Sequence, residues 1–317
     1  MRARRWVVQD ADASDLGGFL AELGEELRGA LAEGRVFVSG RRVSVVETRL
    51  QPGDIVQVAP PDCRAGNVIL VDQRGGLAVF LKGPGVPTEP DRAGSGTSVV
   101  EVGAQLLGAS RRNVHAGSRL DVGVSGLVLV ATTRASRRHL QKLTVSGGVA
   151  KRYLAIAARP PPDPKGQWCS RLAHNGRLRN AVTRYHRVAT APASTSPEHH
   201  AQYHLEPTLL LLLPETGRWH QLRLHAAQAG LPLLGDRRHG GPSRLCVPDG
   251  RVIAVGRVAL DAAVVELVDE QGSRWIVGSG GAPDLRDLWH RLGGVAEDFD
   301  RAIRPDAVPS RGVRLGL

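Results

Sequence analysis

The residues best suited to chemistry in this chain are Arg119 and Asp121, a charged pair just before a Ser-Gly break and an apolar run. The run, residues 127–131, is short, contains β-branched valines and follows turn residues, so it predicts a buried strand. Burying a carboxylate is costly unless its charge is paired. Asp121 is therefore either a nucleophile or base, or the partner of Arg119 in a structural ion pair, and spacing alone leaves both open.

A second polar segment, residues 216–225, contains Arg218, Arg223 and two histidines, His220 and His225. The histidines are five residues apart, whereas zinc ligands on a helix are spaced by three or four, and no third ligand follows nearby. A metal-dependent hydrolase, which chelators would inhibit, is therefore not favoured. We predict no metal site.

Residues 118–126, S-R-L-D-V-G-V-S-G, resemble the signature of the RluA-type RNA pseudouridine synthases, H-R-L-D-x-x-T-S-G followed by an apolar strand. In that family the Asp is catalytic, and the match places this role on Asp121. Two positions depart from the pattern, because Ser118 stands where the family usually has His and Val124 where it usually has Thr. Both are neighbours of the acid and bear on how it is oriented.

Further matches follow in the family's order and together span about residues 66–268. Residues 151–155 match K-x-Y-x-A, and residues 216–225 resemble T-G-R-x-H-Q-I-R-x-H, with Trp219 in place of a small polar residue. Residues 230–236 resemble G-x-P-I-x-G-D, and residues 257–262 resemble R-x-x-L-H-A, with Asp261 in place of His. Residues 82–87 resemble K-P-x-G-x-x with the proline shifted by one, and are either a plain turn or a loop that faces the substrate.

The resemblance implies a role for each matching residue. The implied catalytic residues are Asp121, Tyr153 and Arg223, with Arg223 as the partner of Asp121 and Tyr153 in contact with the base. An arginine suits this position because it stays charged and binds carboxylates in a bidentate manner. The implied substrate-binding residues are Arg119, Lys151, Arg218, His220 and Gln221.

The implied reaction breaks the bond between ribose C1′ and N1 of uridine, rotates the base and rejoins it through C5. Nothing is oxidised or added, so no cofactor is expected. The carboxylate acts either as a nucleophile or as the base that starts glycal formation, and the sequence does not separate these routes. Because a stacked uridine is out of reach, we expect it to be flipped out of its helix. The alternative is a non-catalytic RNA-binding relative, favoured only by Ser118, Val124 and Asp261.

Composition indicates a polyanionic partner. The net charge is +11 and the pI is about 10.6, which favours nucleic acid, although an arginine-rich composition can also reflect genome base composition. Residues 171–187 contain five arginines and no acidic residue, a pattern typical of a solvated face or of a phosphate-binding surface. We expect RNA as the partner, large-subunit ribosomal RNA first and transfer RNA as the alternative.

Other features indicate where and in what form the chain acts. Its three cysteines, Cys63, Cys169 and Cys246, are scattered, which favours a reducing compartment. The sequence shows neither a signal peptide nor an apolar run of membrane-spanning length. We expect a cytoplasmic monomer with no membrane contact.

The pattern of short strands and helices predicts an α+β fold with a mixed, mainly antiparallel central sheet and flanking helices. Helical spacing in residues 15–33, followed by E-G-R-V-x-V-x-G and P-G-D-x-V, resembles an S4 RNA-binding domain. Arg35, Arg41 and Arg42 are its candidate basic face. We therefore predict an S4-like domain at 1–60, a linker at 61–66 and a catalytic domain at 67–317.

Overall fold

The computed structural model describes the chain in a series of ranges separated by gaps. These are residues 4–12, 14–24, 27, 30, 31, 36–39, 41–43, 45–58, 67–90, 98–174, 176–192, 194, 195 and 204–304. The predicted linker 61–66, Arg35 of the candidate basic face and Cys63 lie outside these residues. Among the described residues, no helix is long and apolar enough to cross a membrane.

A ten-stranded sheet is formed by strands between residues 68 and 278, in the order β10-β11-β14-β9-β17-β8-β6-β5, with β18 paired to β17 and β7 paired to β8. Its strands are β5 Val68–Arg74, β6 Leu77–Lys82, β7 His115–Ala116, β8 Ser125–Ala131, β9 Val149–Ala157, β10 Lys165–His174, β11 Arg177–Thr190, β14 Thr208–Pro214, β17 Leu260–Val268 and β18 Arg274–Gly278. All neighbours are antiparallel except β8 and β17, which run parallel. The predicted mixed, mainly antiparallel α+β fold is confirmed.

Two smaller sheets accompany the central one. The first has the order β1-β4-β2-β3 and the second the order β13-β12-β15-β16. Their strands are β1 Arg4–Val7, β2 Val36–Val38, β3 Arg41–Arg42, β4 Ile55–Val58, β12 Ser194–Thr195, β13 His204–Leu205, β15 Arg244–Cys246 and β16 Val252–Ala254. Strands β13 and β14 are separated by Glu206 and Pro207, and proline has no N–H to donate to a ladder.

Six α-helices are found within the described residues. They are α1 Leu16–Leu23, α2 Val99–Leu106, α3 Arg134–Ser146, α4 Gln221–Gln228, α5 Pro283–Arg291 and α6 Ala296–Ile303. Helix α1 begins at Asp15, whose Oδ1 accepts from the N–H of Gly18 at 2.8 Å. It packs with the first small sheet in an apolar core that includes Phe19, Leu20 and Val56.

The alternation of side chains along β9 and β14 sends successive residues into two apolar cores on the two faces of the central sheet. Tyr153 and Ala155 belong to one core, whereas Leu154 and Ile156 belong to the other. Tyr153 therefore lies on the face opposite Leu154, as its spacing predicts.

The parallel contact between β8 and β17 depends on a glycine. Gly126 has φ +114°, and a Cβ at this position would lie 2.4 Å from the backbone N and O of Ala262. Only glycine combines this conformation with so close an approach of two backbones. The parallel pairing of β8 with β17 begins at Ser125 and Gly126, directly after the loop that contains Asp121.

Candidate active site

The backbone around Asp121 is held by the loop that follows β6. Thr88 Oγ1 donates to the carbonyl of Leu120 at 2.9 Å and accepts from the Leu120 N–H at 3.0 Å. On the other side, the N–H of Gly85 donates to the carbonyl of Val122 at 2.7 Å, and Lys82 Nζ donates to the same carbonyl at 3.3 Å. These contacts of the loop therefore go to the two neighbours of Asp121 and position it.

The Asp121 carboxylate has one oxygen engaged and one open. Its Oδ2 accepts from Arg223 Nη1 at 2.8 Å, and His220 Nε2 lies 3.4 Å away. Its Oδ1 has no hydrogen-bond partner among the residues that the structure describes, and the side chain is 27% exposed. An ionised carboxylate with a free oxygen can act as a nucleophile or as a base.

Arg223 lies in the first turn of α4 and binds two carboxylates at once. Its Nε and Nη2 donate to Oδ2 and Oδ1 of Asp236 at 2.7 and 2.6 Å, while Nη1 reaches Asp121. Asp236 is almost fully buried. Burial of Arg223 opposes its charge, but the hydrogen bonds and charges of Asp236 and Asp121 raise its pKa above the ordinary value. A bidentate pair of this kind fixes the guanidinium plane.

His220 connects this cluster to a second histidine and to an exposed aromatic ring. Its Nδ1 lies 2.8 Å from His239 Nε2, and its Nε2 lies 3.0 Å from Arg223 Nη1. Because arginine can only donate, Nε2 of His220 accepts and Nδ1 carries the proton that is donated to His239. Burial, together with the charges of Arg223, His239 and Arg238, lowers the pKa of His220 to about 4, with Asp121 acting in the opposite direction. The ring is therefore neutral near pH 7.

Tyr153 lies in β9 opposite Leu212 on one side and Ala262 on the other. Burial raises the pKa of its phenol, and the negative charges of Asp121 and Asp261 raise the pKa further. The hydroxyl therefore stays protonated at neutral pH, within the electrostatic reach of Asp121.

Gln221 and Arg218 form the turn that starts α4. The Gln221 amide is buried and accepts from Thr216 Oγ1 at 2.7 Å and from the Arg218 N–H at 3.0 Å. It also donates to the Val182 carbonyl and to Thr183 Oγ1, both at 3.0 Å. These are contacts of a positioning residue, since they hold the start of α4 against β11. Arg218 Nε donates to the backbone of β11 and the residue is half-buried.

Among the described residues, neither Asp121 nor Arg223 makes a hydrogen bond or ion pair with Lys151, Arg119 or His225. Lys151 lies two residues before Tyr153 in β9, and burial lowers its pKa to about 8. Arg119 is exposed in the loop before Asp121. His225 is buried and its two ring nitrogens lie 2.9 Å from Thr183 Oγ1 and 3.0 Å from Ser170 Oγ, so it holds α4 to the sheet. Among the described residues, no group of three His, Cys, Asp or Glu could hold a metal ion.

Two features of the site were not assigned from the sequence. Asp236 closes the segment 230–236, and the Gly-Asp pair of that segment is the available sequence signal for its pairing with Arg223. The second is a buried cluster in which Ser125 Oγ donates to Asp261 Oδ1 at 2.5 Å and Arg257 Nη2 donates to Ser125 Oγ at 3.0 Å. Burial raises the pKa of Asp261. The departure of Asp261 from the family pattern was its only signal.

Comparison with known proteins gives the family. Residues 76–228 match the family model described as RNA pseudouridylate synthase. Residues 76–228 belong to the RNA pseudouridylate synthase family. This confirms the resemblance seen in the sequence, and with it the assignment as an RNA pseudouridine synthase, an isomerase. The S4 resemblance of residues 1–60 stays a prediction, because the match begins at residue 76.

Relatives and solved structures of pseudouridine synthases agree with this assignment. Ribosomal large subunit pseudouridine synthase C of Vibrio cholerae is 29% identical over 231 residues, which are 66% of this chain and 70% of the relative. The protein of the same name from Escherichia coli is 29% identical over 235 residues, with 66% and 69% covered. The structure of human RNA pseudouridylate synthase domain containing 4 has the same fold, with a TM-score of 0.52 and 20% identity over 71% of this chain and 93% of that chain.

Proposed function

We propose that this pseudouridine synthase isomerises uridines of large-subunit ribosomal RNA, with Asp121 as its catalytic residue. The observation that supports the proposal is the Asp121 carboxylate itself, with Oδ2 bound by Arg223 and Oδ1 without a partner among the described residues. The relatives named above act on the large ribosomal subunit by name. The net charge of +11 suits a polyanionic substrate.

In the proposed reaction the C1′–N1 bond breaks and its electron pair stays on the uracil ring. Asp121 either attacks C1′ or removes the proton on C2′, and both routes need the carboxylate to be ionised. Arg223 Nη1 binds the carboxylate through a charge-assisted hydrogen bond of 2.8 Å. The base rotates and C5 bonds to C1′, which displaces the Asp121 carboxylate in the first route and is accompanied by return of the proton to C2′ in the second. The proton on C5 then passes to solvent. We assign the neutral phenol of Tyr153 to contact with the base and to proton transfer.

The other predicted residues take supporting roles in this proposal. Lys151, Arg119 and Arg218 are cations that suit phosphate or base contacts. His220 and Gln221 act mainly by holding Arg223 and the start of α4 in position. Contacts with phosphates would offset the cost of flipping the target uridine out of its stack.

For residues 1–60 we propose an S4-like RNA-binding role. The helix α1, the sheet β1-β4-β2-β3 and their own apolar core are consistent with a separate small unit. Its test is an Arg41→Gln, Arg42→Gln variant of the full chain. This variant should bind ribosomal RNA more weakly, and its kcat should be unchanged. A monomeric, cytoplasmic enzyme remains part of the proposal.

The catalytic assignment is tested by release of tritium from RNA labelled at uridine C5. Wild type should release tritium from large-subunit ribosomal RNA transcripts, whereas Asp121→Asn should bind the RNA and release none. The matched control is Asp287→Asn, a largely exposed carboxylate that should leave the rate unchanged. Full activity in Asp121→Asn would exclude Asp121 as the catalytic residue.

The choice of RNA is tested in the same assay with bulk transfer RNA as a second substrate. We expect release from the ribosomal transcripts and none from transfer RNA. The reverse result would reassign the substrate and leave the chemistry in place. Absence of release from both, with RNA binding intact, is the outcome expected of a non-catalytic relative.

A further inference from the structure

The loop before α4 presents a large aromatic side chain at the edge of the site. Trp219 is 51% exposed, and it stands where the family pattern has a small polar residue. A single exposed apolar side chain needs no explanation by itself. The contacts of Trp219 with the site are what distinguish it from the other exposed apolar residues.

The indole is held in one orientation by the residues that bind Asp121. It stacks on the imidazole of His220, with ring centres 3.7 Å apart and planes inclined by 13°. His220 is in turn held by His239 on one nitrogen and by Arg223 on the other. Its backbone has φ +51°, an unusual conformation for a non-glycine residue, and the surrounding contacts maintain it. Trp219 is therefore a preorganised surface one side-chain contact away from the catalytic cluster.

A cation accompanies this ring. The guanidinium carbon of Arg238 lies 4.7 Å from the centre of the Trp219 ring, and Arg238 is exposed in a short 3₁₀ helix, Arg237–His239. A fixed aromatic ring beside an exposed guanidinium suits single-stranded RNA, because a base can stack on the ring while the cation binds a phosphate. A paired base inside a duplex has no free face to offer such a ring.

We propose that Trp219 and Arg238 form a binding subsite for the unpaired nucleotide next to the target uridine, with the base stacked on the indole and its phosphate near the guanidinium. This inference rests on the proposed function for the identity of the target. It goes further by assigning the neighbouring nucleotide its own site and by requiring that nucleotide to be unpaired. Since stacking is available to every base, the subsite favours single-stranded structure over a particular sequence.

The first test measures equilibrium binding and does not depend on catalysis. A short oligouridylate with a fluorescein label should bind Trp219→Ala about fivefold or more weakly than wild type, the loss expected for one base stack. Trp219→Phe should restore most of the affinity because it keeps an aromatic face. Val252→Ala, which truncates an equally exposed apolar side chain outside the central sheet, should bind like wild type. Equal affinities of wild type and Trp219→Ala would overturn the proposal.

Arg238 and duplex RNA provide two further arms of the binding test. Arg238→Gln should weaken binding of the oligouridylate and reduce the slope of log affinity against log salt by about one. When the oligouridylate is annealed to its complement, Trp219→Ala and wild type should bind alike. A Trp219 effect of the same size on the duplex would contradict a subsite for unpaired nucleotides.

The second test uses the reaction and separates this inference from the proposed function. On tritiated ribosomal transcripts, Trp219→Ala should raise KM about fivefold or more with a smaller change in kcat. Once the target uridine is mapped, an abasic nucleotide beside it should weaken wild type but add no further loss in Trp219→Ala. If the Trp219 effect persists on substrates abasic on either side, the indole contacts the target itself and the subsite is wrong. Absence of tritium release by wild type would count against the proposed function alone, since the binding test stands independently.

Discussion

At the scale of the residue, Arg223 is the side chain that binds the two carboxylates of the site. Its guanidinium is shared between Asp121, which is partly exposed, and Asp236, which is almost fully buried. Nε and Nη2 are used by Asp236, so that Nη1 is left to point at Asp121. Asp236 is therefore expected to act on the reaction through Arg223.

The first prediction concerns this buried partner. Asp236→Asn keeps the size of the side chain but removes one of the two negative charges that orient Arg223. We expect kcat for tritium release to fall about 100-fold, the effect of a small misplacement of a catalytic group, with little change in RNA affinity. Asp249→Asn removes a carboxylate from an exposed pair with Arg251 and serves as the control. An unchanged kcat in Asp236→Asn would show that Arg223 does not need its buried partner.

The second prediction concerns Lys82, which is fully buried beside the Asp121 loop. Burial and the charge of Arg257 lower the pKa of Lys82 from 10.5 to about 7, and Asp121 and Asp261 offset this only in part. Between these two values the unfolded chain binds the proton and the folded chain does not. The stability that Lys82 contributes is therefore fully present above the higher value and is lost as the pH falls towards 7.

This pH dependence can be measured against Lys82→Met, which has no charge to titrate. The difference in free energy of unfolding, wild type minus variant, should increase by up to about 1.4 kcal/mol for each pH unit between about pH 7 and about pH 9. Urea denaturation at three pH values in this range gives the difference directly. A difference that stays constant with pH would mean that Lys82 titrates normally.

At the scale of the element, the loop between β6 and α2 decides where Asp121 lies. Thr88 is buried and is the residue through which this loop binds both polar backbone groups of Leu120. Residues 82–87, predicted as a plain turn or a substrate-facing loop, contain a turn at 84–85, and Lys82 and Gly85 also bind the carbonyl of Val122 next to Asp121. That the loop faces the substrate stays a prediction.

The third prediction is that Thr88→Val weakens both the fold and the reaction. The valine has the same shape but leaves the N–H and C=O of Leu120 without partners, which should lower the free energy of unfolding by about 2 kcal/mol. Movement of the Asp121 loop should reduce kcat about tenfold or more. Thr88→Ser keeps the hydroxyl and should recover most of both losses, as measured by denaturation and by tritium release. Wild-type kcat in Thr88→Val would show that the loop does not position Asp121.

At the scale of the whole molecule, charge is distributed unevenly along the chain. Residues 1–60 have eight arginines against nine acidic residues, so the basic excess lies in residues 61–317. The arginine-rich segment 171–187 forms most of the hairpin of β10 and β11, where Arg171, Arg177 and Arg179 are exposed. None of these three has an ion-pair partner among the described residues.

The fourth prediction concerns salt. RNA binding should weaken steeply as salt increases, because each phosphate contact releases counterions. Replacing Arg171, Arg177 and Arg179 by Gln should reduce the slope of log affinity against log salt by about one for each arginine that contacts a phosphate. Arg251→Gln removes an exposed arginine that is already paired with Asp249 and should leave the slope unchanged. An unchanged slope in the triple variant would place the phosphate contacts elsewhere.

Elements that show a clear hydrophobic pattern over a short segment could be predicted from the sequence. The apolar run of residues 127–131 lies within β8, and the alternation around Tyr153 gave its face in β9 correctly. The C-terminal part shows what local sequence does not give, since a second helix, α6, follows α5 and packs on it. Asp298 of α6 accepts from the indole N–H of Trp289 in α5 at 2.9 Å, a contact that no periodicity reports.

The sequence by itself determined the family, the order of the matched motifs and Asp121, Tyr153 and Arg223 as candidates, because these depend on residue types at short spacing. Only the tertiary structure decided how Arg223 divides its hydrogen bonds between Asp121, which is 102 positions away, and Asp236. It also decided that Gln221 is engaged by its own chain and that Trp219 rests on His220. The reason is physical: backbone periodicity is set by neighbours in the chain, whereas side-chain pairing depends on which distant segments the sheet and helices bring together.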